Sequence, residues 1–278
     1  TYCSMDCSYC ILQSYFHPPV LQFFVNHEDM AVELDRLFSE RDITRIGTGE
    51  FTDSLLWDSW TDFSSVLVPK FSGQARAVLE LKTKTADVLR LKNIEHGRKT
   101  IIAWSLNADP IIRNEERRTA SLSNRLASAA DCESWGYPLA FHFDPLVIYD
   151  GCESDYRHVV EQLFSHVSPD SVVWISLGSF RFIPDLKTII QRRFDSSKII
   201  YGEFVPGLDG KMRYFKPLRI ALYRKMASWI KSLAPKAFVY LCMEDDEVWQ
   251  KSLGYLPAEH GGLSAILDQQ ARQHCGLD

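Results

Sequence analysis

The chain opens on Cys3-Ser4-Met5-Asp6-Cys7-Ser8-Tyr9-Cys10, a C-x3-C-x2-C arrangement. Three thiolates this close in sequence can wrap one loop around a cubane [4Fe–4S] cluster and leave the fourth iron without a protein ligand, where a small molecule can chelate. A zinc site completed by a distant ligand such as His17 or Cys152 competes with that reading, as do three free thiols. Structural zinc, however, usually draws four ligands from paired C-x2-C units. Cys132, Cys152, Cys242 and Cys275 are scattered along the rest of the chain. Cysteines so distributed suit one metal site plus separate thiols in a reducing, cytoplasmic setting rather than a disulfide framework.

Outward from this loop, amphipathic and apolar stretches alternate. His27 to Glu40 puts Met30, Leu34, Leu37 and Phe38 on one helical stripe. Thr44 to Thr48 reads as a short buried strand, Asp53 to Leu67 as a helix, Ala77 to Lys82 and Thr100 to Leu106 as strands. A helix over Ser121 to Ser134, a strand over Pro138 to Phe143, a helix over Tyr156 to His166, a strand over Val172 to Leu177 and a helix over Leu186 to Arg193 continue the pattern. Repeating strand and helix units of this kind predict parallel βα units, hence an α/β fold with an open sheet or a full or partial barrel. Glu50, Lys84, Asn107, Asp144 and Ser179 sit where strands stop, and they can converge only if those ends share one face. Residues 1–200 are expected to form the barrel. Residues 201–278, with a helix over Leu218 to Leu233 and a strand over Ala237 to Leu241, are expected to pack on it, on the substrate side.

With 278 residues, 46% of them hydrophobic, the chain can bury one sizeable core. Its net charge of -5 gives no whole-chain support for nucleic-acid binding, though a local basic face can survive within an acidic total. Lys211, Arg213, Lys216, Arg219, Arg224 and Lys225, interleaved with Tyr214, Phe215 and Tyr223, are the best candidate for such a face. A helix carrying Leu218, Leu222, Met226 and Ile230 needs a polar outer side in any case. No run approaches eighteen apolar residues and no basic-then-apolar leader opens the chain, so neither a membrane span nor a signal peptide is expected.

The cysteine loop, with Tyr9 ahead of its last cysteine, and Gly47-Thr48-Gly49-Glu50 resemble the radical S-adenosylmethionine (SAM) superfamily. Within it the chain resembles the spore photoproduct lyase family. The narrower likeness rests on Cys10-Ile11-Leu12-Gln13, Val25-Asn26, Lys84, Ser105-Leu106-Asn107, Arg117 with Thr119, Gly136-Tyr137-Pro138, Leu177 to Phe182 and Tyr240 to Glu244, in the family's order. The resemblance implies a partial parallel (β/α)6-type barrel whose cluster, held by Cys3, Cys7 and Cys10, cleaves SAM to a 5′-deoxyadenosyl radical. It further implies an electron donor such as flavodoxin or ferredoxin, a DNA lesion as substrate, and a first barrel strand ahead of Thr1. Two positions depart from the family: Glu50 stands where its lyases carry a hydrogen-donating cysteine, and Ile11 where they carry a tyrosine. Modification of a small metabolite, or electron transfer and sensing without SAM, are the alternative functions.

Several residues then acquire specific expectations. The glycines at 47 and 49 permit close backbone approach, and Glu50 can pair with the SAM ammonium. Lys84 is expected to meet the SAM carboxylate, and Ser105 and Asn107 to contact SAM from one strand face, although an Asx turn would also explain Asn107. Tyr9 is expected against the adenine or packed in the cluster loop. His142 and Asp144, two apart on a strand, could form a polar pair that positions substrate or exchanges a proton. Arg181 could grip a phosphate or carboxylate. Cys242, flanked by apolar residues, reads as a core thiol.

Overall fold

In a computed structural model that describes residues 3–15, 20–40 and 43–277, the strands curl into one parallel sheet. Its strands are β1 (Thr44–Gly47), β2 (Ala77–Thr83), β3 (Thr100–Ser105), β4 (Leu139–Leu146), β5 (Val172–Ser179) and a last strand, β9 (Val239–Leu241), in that spatial order. Helix α1 (His27–Glu40) precedes the sheet; between its strands come α2 (Asp58–Thr61), α3 (Phe63–Ser72), α4 (Asp109–Glu115), α5 (Leu122–Ser134), α6 (Cys152–His166), α7 (Pro184–Arg193) and α8 (Lys216–Leu233), and α9 (Asp246–Leu253) follows β9. Because β9 comes from beyond residue 200, the C-terminal part completes the sheet as well as packing on it. A small antiparallel sheet of β6 (Arg181–Phe182), β8 (Met212–Tyr214) and β7 (Phe204–Pro206) was not legible as strands and stands beside α7.

Alternation decides which side chains face which layer. Leu79, Leu81, Ile102, Trp104, Leu139, Phe141, Ile175 and Leu177 join the helices in the main core. Val78, Ile101, Ala103, Ala140 and Trp174 face the other way and meet Leu267, Ala271 and Cys275 of α10 (Leu263–Cys275), which plugs the concave side. The expected long helix from Asp53 does not form. The Asp53 carboxylate instead accepts hydrogen bonds from the backbone N–H of Leu55 and Leu56, both at 3.0 Å, from Thr83 Oγ1 at 2.7 Å and from the Lys84 N–H at 2.7 Å. Spending that carboxylate on the end of β2 delays the helix to Asp58. Asp62, at φ 51°, then divides it from α3.

Candidate functional site

The cysteine loop is held from behind by two consecutive acids at the end of α4. Ser8 donates its N–H to the Glu115 carbonyl at 2.9 Å and its hydroxyl to the Glu115 carboxylate, which Ser197 also reaches at 2.7 Å. Tyr9 donates its hydroxyl to Glu116 at 2.5 Å, and the Glu116 carboxylate is in turn gripped by the fully buried Arg125 at 2.5 Å. Arg125 donates further to the Ser105 carbonyl at 2.8 Å and to the Ala120 carbonyl at 2.9 Å. One buried ion pair therefore ties the cysteine loop to the end of β3.

Cys3, Cys7, Tyr9, Cys10, Gly49, Glu50, Lys82, Lys84 and Ser105 line one cavity of about 110 Å³ at the C-terminal ends of the strands. It shares Thr52 and Asp53 with a neighbouring cavity of about 530 Å³. Glu50 is exposed at the lip. Gly49 lies where a Cβ would come within 3.3 Å of the Lys82 carbonyl, so the close approach expected of the glycine is real there. Burial raises the thiol pKa of Cys3 to about 11 and raises that of Cys7 further. Burial opposes the charge on Lys84, yet the Glu116 carboxylate and the Cys7 sulfur hold it above its ordinary range. Burial likewise pushes the Glu116 carboxyl up, but Arg125 and Lys84 override it and keep it below its usual range.

The donor set fits a polynuclear cluster better than a lone ion. Cys3, Cys7 and Cys10 line one cavity that no histidine among the described residues borders, which is the three-thiolate donor set of a cluster with one open iron and not the four-ligand set of structural zinc. Of the two distant zinc ligands considered, His17 lies outside the described residues, and Cys152 is buried in the main core at the start of α6.

Other residues land elsewhere. Asn107 is buried below the cavity. Its amide donates to the Pro145 carbonyl at 2.9 Å, while its oxygen accepts from Tyr156 at 2.8 Å and from the Ala108 N–H at 3.0 Å. None of the three is the Asx turn expected of it, in which the oxygen would accept from the N–H two residues on; they tie Asn107 instead to β4, to α6 and to its own neighbour. Gly47 ends β1, bordering a separate cavity of about 170 Å³ between β1 and β9. His142 does face the barrel interior, but its partner is Glu80 at 2.7 Å rather than Asp144. Asp144 instead forms a two-point pair with Arg181 at 3.0 and 3.1 Å, and Arg181 also touches Cys242 Sγ at 3.3 Å. Cys242 is thus a half-buried thiol at the barrel mouth, its pKa raised by burial to about 11, and not a core thiol.

The basic face expected around α8 is largely neutralised. Arg213 pairs with Asp209, Lys216 with Asp245 and Glu247, Arg219 with Glu244 and Lys225 with Glu153. Sequence reasoning missed the roles of Glu80, Asp53 and the Glu116–Arg125 pair. The last left a signal, because Arg125 stands on the stripe of Leu122, Leu126 and Ala129, where a charge needs a buried partner.

The spore photoproduct lyase family matches residues 1–219. The chain belongs to that family. With it comes membership of the radical SAM superfamily, whose lyases use a [4Fe–4S] cluster and SAM. The spore photoproduct lyase of Bacillus subtilis (strain 168) is 29% identical over 248 residues, which cover 85% of this chain and 72% of that protein. The spore photoproduct lyase of Clostridium acetobutylicum is 24% identical over 217 residues, 77% of this chain and 62% of that protein. A solved spore photoproduct lyase complexed with dinucleoside spore photoproduct superposes with a TM-score of 0.81 at 25% identity, covering 87% of this chain and 75% of that one. The six-stranded half-barrel is therefore the family's fold. Among the described residues no helix is long and apolar enough to cross a membrane.

Proposed function

We propose that the chain generates a radical from SAM at the cavity beside Cys3, Cys7 and Cys10 and spends it on a lesion in DNA. The observation that carries the proposal is the gathering of the three thiols, Glu50, Lys84 and Ser105 on one cavity at the strand ends. A cluster bound by the thiols and SAM bound beside it supply reductive C–S cleavage and a carbon radical able to abstract hydrogen. Glu50 would pair with the SAM ammonium, Lys84 with its carboxylate, and Ser105 would add a hydrogen bond. Tyr9 would pack the cluster loop, anchored by Glu116. His142, oriented by Glu80, would hold a substrate group or exchange a proton inside the barrel. Seven free cysteines and an oxygen-sensitive cofactor suit a reducing cytoplasmic setting.

The substrate we assign is the methylene-bridged thymine dimer on which spore photoproduct lyases act. Glu50 and Ile11 replace the thiol and phenol of the family's hydrogen return, and a carboxylate is a poor hydrogen-atom donor. The radical-forming half of the site thus follows the family while the returning half differs.

The test is product analysis of the reduced, anaerobically reconstituted chain with SAM, first alone and then with a lesion-bearing oligonucleotide. The chain should release 5′-deoxyadenosine, Cys7→Ala should release none, and thymines should be recovered from the lesion. SAM left intact beside a fully loaded cluster would sink the proposal.

A further inference from the structure

The three thiols border two cavities. The first carries the groups assigned to SAM. The second, of about 220 Å³, is lined by the same three cysteines with Asp6, Gln13 and Arg193, and by none of Glu50, Lys84 or Ser105. Its rim is basic. Arg193, in the last turn of α7, contacts Gln13 and pairs with Asp6 at 3.2 Å. The guanidinium of Arg117 lies 4.4 Å from the centroid of the Phe194 ring and that of Arg193 lies 5.1 Å from it. Arg118 donates its backbone N–H to Met5 in the cysteine loop at 3.2 Å, and Lys198 follows Ser197, which braces Glu115 behind that loop. Arg117, Arg118, Arg192 and Lys198 are all exposed, and none has a carboxylate partner among the described residues.

This contrasts with α8, where the cations that looked basic in sequence are mostly paired. On a chain of net charge -5, unpaired cations beside the cysteine loop form a local positive field where the total predicts none. We propose that this arginine-rich rim is the docking surface for an acidic one-electron carrier protein. The carrier gives up one electron and the cluster gains it, so no other reactant is required. The inference rests on the radical SAM reading above. Nucleic acid would also respond to these charges. The carrier is favoured because the second cavity reaches the same three thiols from a side that none of Glu50, Lys84 and Ser105 lines, with Arg193 on its wall and Arg192 next to it in α7. Steering by such a field orients the encounter and raises its rate.

The experiment mixes the reconstituted full chain with reduced flavodoxin, an acidic carrier, in an anaerobic stopped flow and follows bleaching of the cluster absorbance. The triple variant Arg118→Glu, Arg192→Glu and Lys198→Glu should react about tenfold more slowly at low salt. The difference should close as ionic strength approaches about 1 M. Photoexcited deazaflavin, small and uncharged, should reduce both forms equally. Arg192→Glu alone, in an exposed helical turn, gives the same test at smaller amplitude should the triple variant not fold. Equal rates with flavodoxin would overturn the proposal. A variant that keeps its reduction rate but loses affinity for duplex DNA would overturn it too, and would assign the rim to nucleic acid. A chain that takes up no cluster, or whose deazaflavin-reduced cluster leaves SAM intact, fails without the carrier and refutes the radical SAM reading instead.

Discussion

Arg125 carries a charge with no solvent exposure, and its hydrogen bonds go to Glu116, Thr119 and the carbonyls of Ser105 and Ala120. Removing one partner of a buried pair leaves the other uncompensated, which costs about 3–5 kcal/mol. Arg125→Ala should therefore lower the stability of the apo chain by that amount in urea denaturation. A loss below about 1 kcal/mol would show the pair to be dispensable. The Asp144 carboxyl follows the same logic with pH. Burial pushes it up, but Arg181 outweighs burial and holds it below its usual range. Its stabilising contribution is thus present above the unfolded value of about 4 and is lost as pH falls through the lowered folded value. In Arg181→Met the carboxylate is left unpaired, so the gap in stability to the parent should be widest near neutral pH and should narrow below about pH 4. Denaturation midpoints across that range would show it, and a pH-independent gap would contradict it.

At the level of elements, β5 must run close beneath that pair. A Cβ on Gly178 would lie 2.7 Å from the Asp144 carboxylate and 2.9 Å from Arg181 Nη1. Gly178→Ala must displace both groups, and overpacking of this kind costs about 1–3 kcal/mol. A melting temperature equal to the parent's would show that the pair moves aside freely. Strand periodicity located β1 to β5, and the apolar stripe located α1, because burial on one face repeats every second or every third to fourth residue. The helix expected from Asp53 failed for a reason periodicity cannot carry: the carboxylate's best partners, Thr83 and the Lys84 N–H, are thirty residues away along the chain. The small sheet of β6, β7 and β8 escaped notice because each strand has only two or three residues.

On the scale of the molecule, α10 closes the concave side of the half-barrel. Ala271 and Cys275 are fully buried against Val78, Ile101, Ala103 and Ala140. Ala271→Asp would put a carboxylate into that contact without a partner, and the loss should exceed about 3 kcal/mol. The apo variant should bind a hydrophobic dye where the parent does not; unchanged stability would mean that α10 is not part of the cooperative core. The same long-range closure brings Arg45 to Asp268 at 2.7 Å and Lys99 to the Cys275 carbonyl at 2.9 Å.

The amino-acid sequence by itself determined the parallel α/β class, the cysteine loop and the strand-end residues Glu50, Lys84 and Ser105. The class and the loop follow from side-chain periodicity and short-range spacing, whereas the expected roles of Glu50, Lys84 and Ser105 came with the resemblance to the family. Tertiary structure alone decided how charges pair: that Glu80 and not Asp144 holds His142, that Asn107 serves the scaffold, that α8 is largely neutralised, and that arginines without a carboxylate partner among the described residues stand beside the cluster loop. Pairing depends on which distant carboxylates the fold brings within a few ångströms, and Coulomb energy in a poorly screened interior falls on contacts that no local spacing encodes.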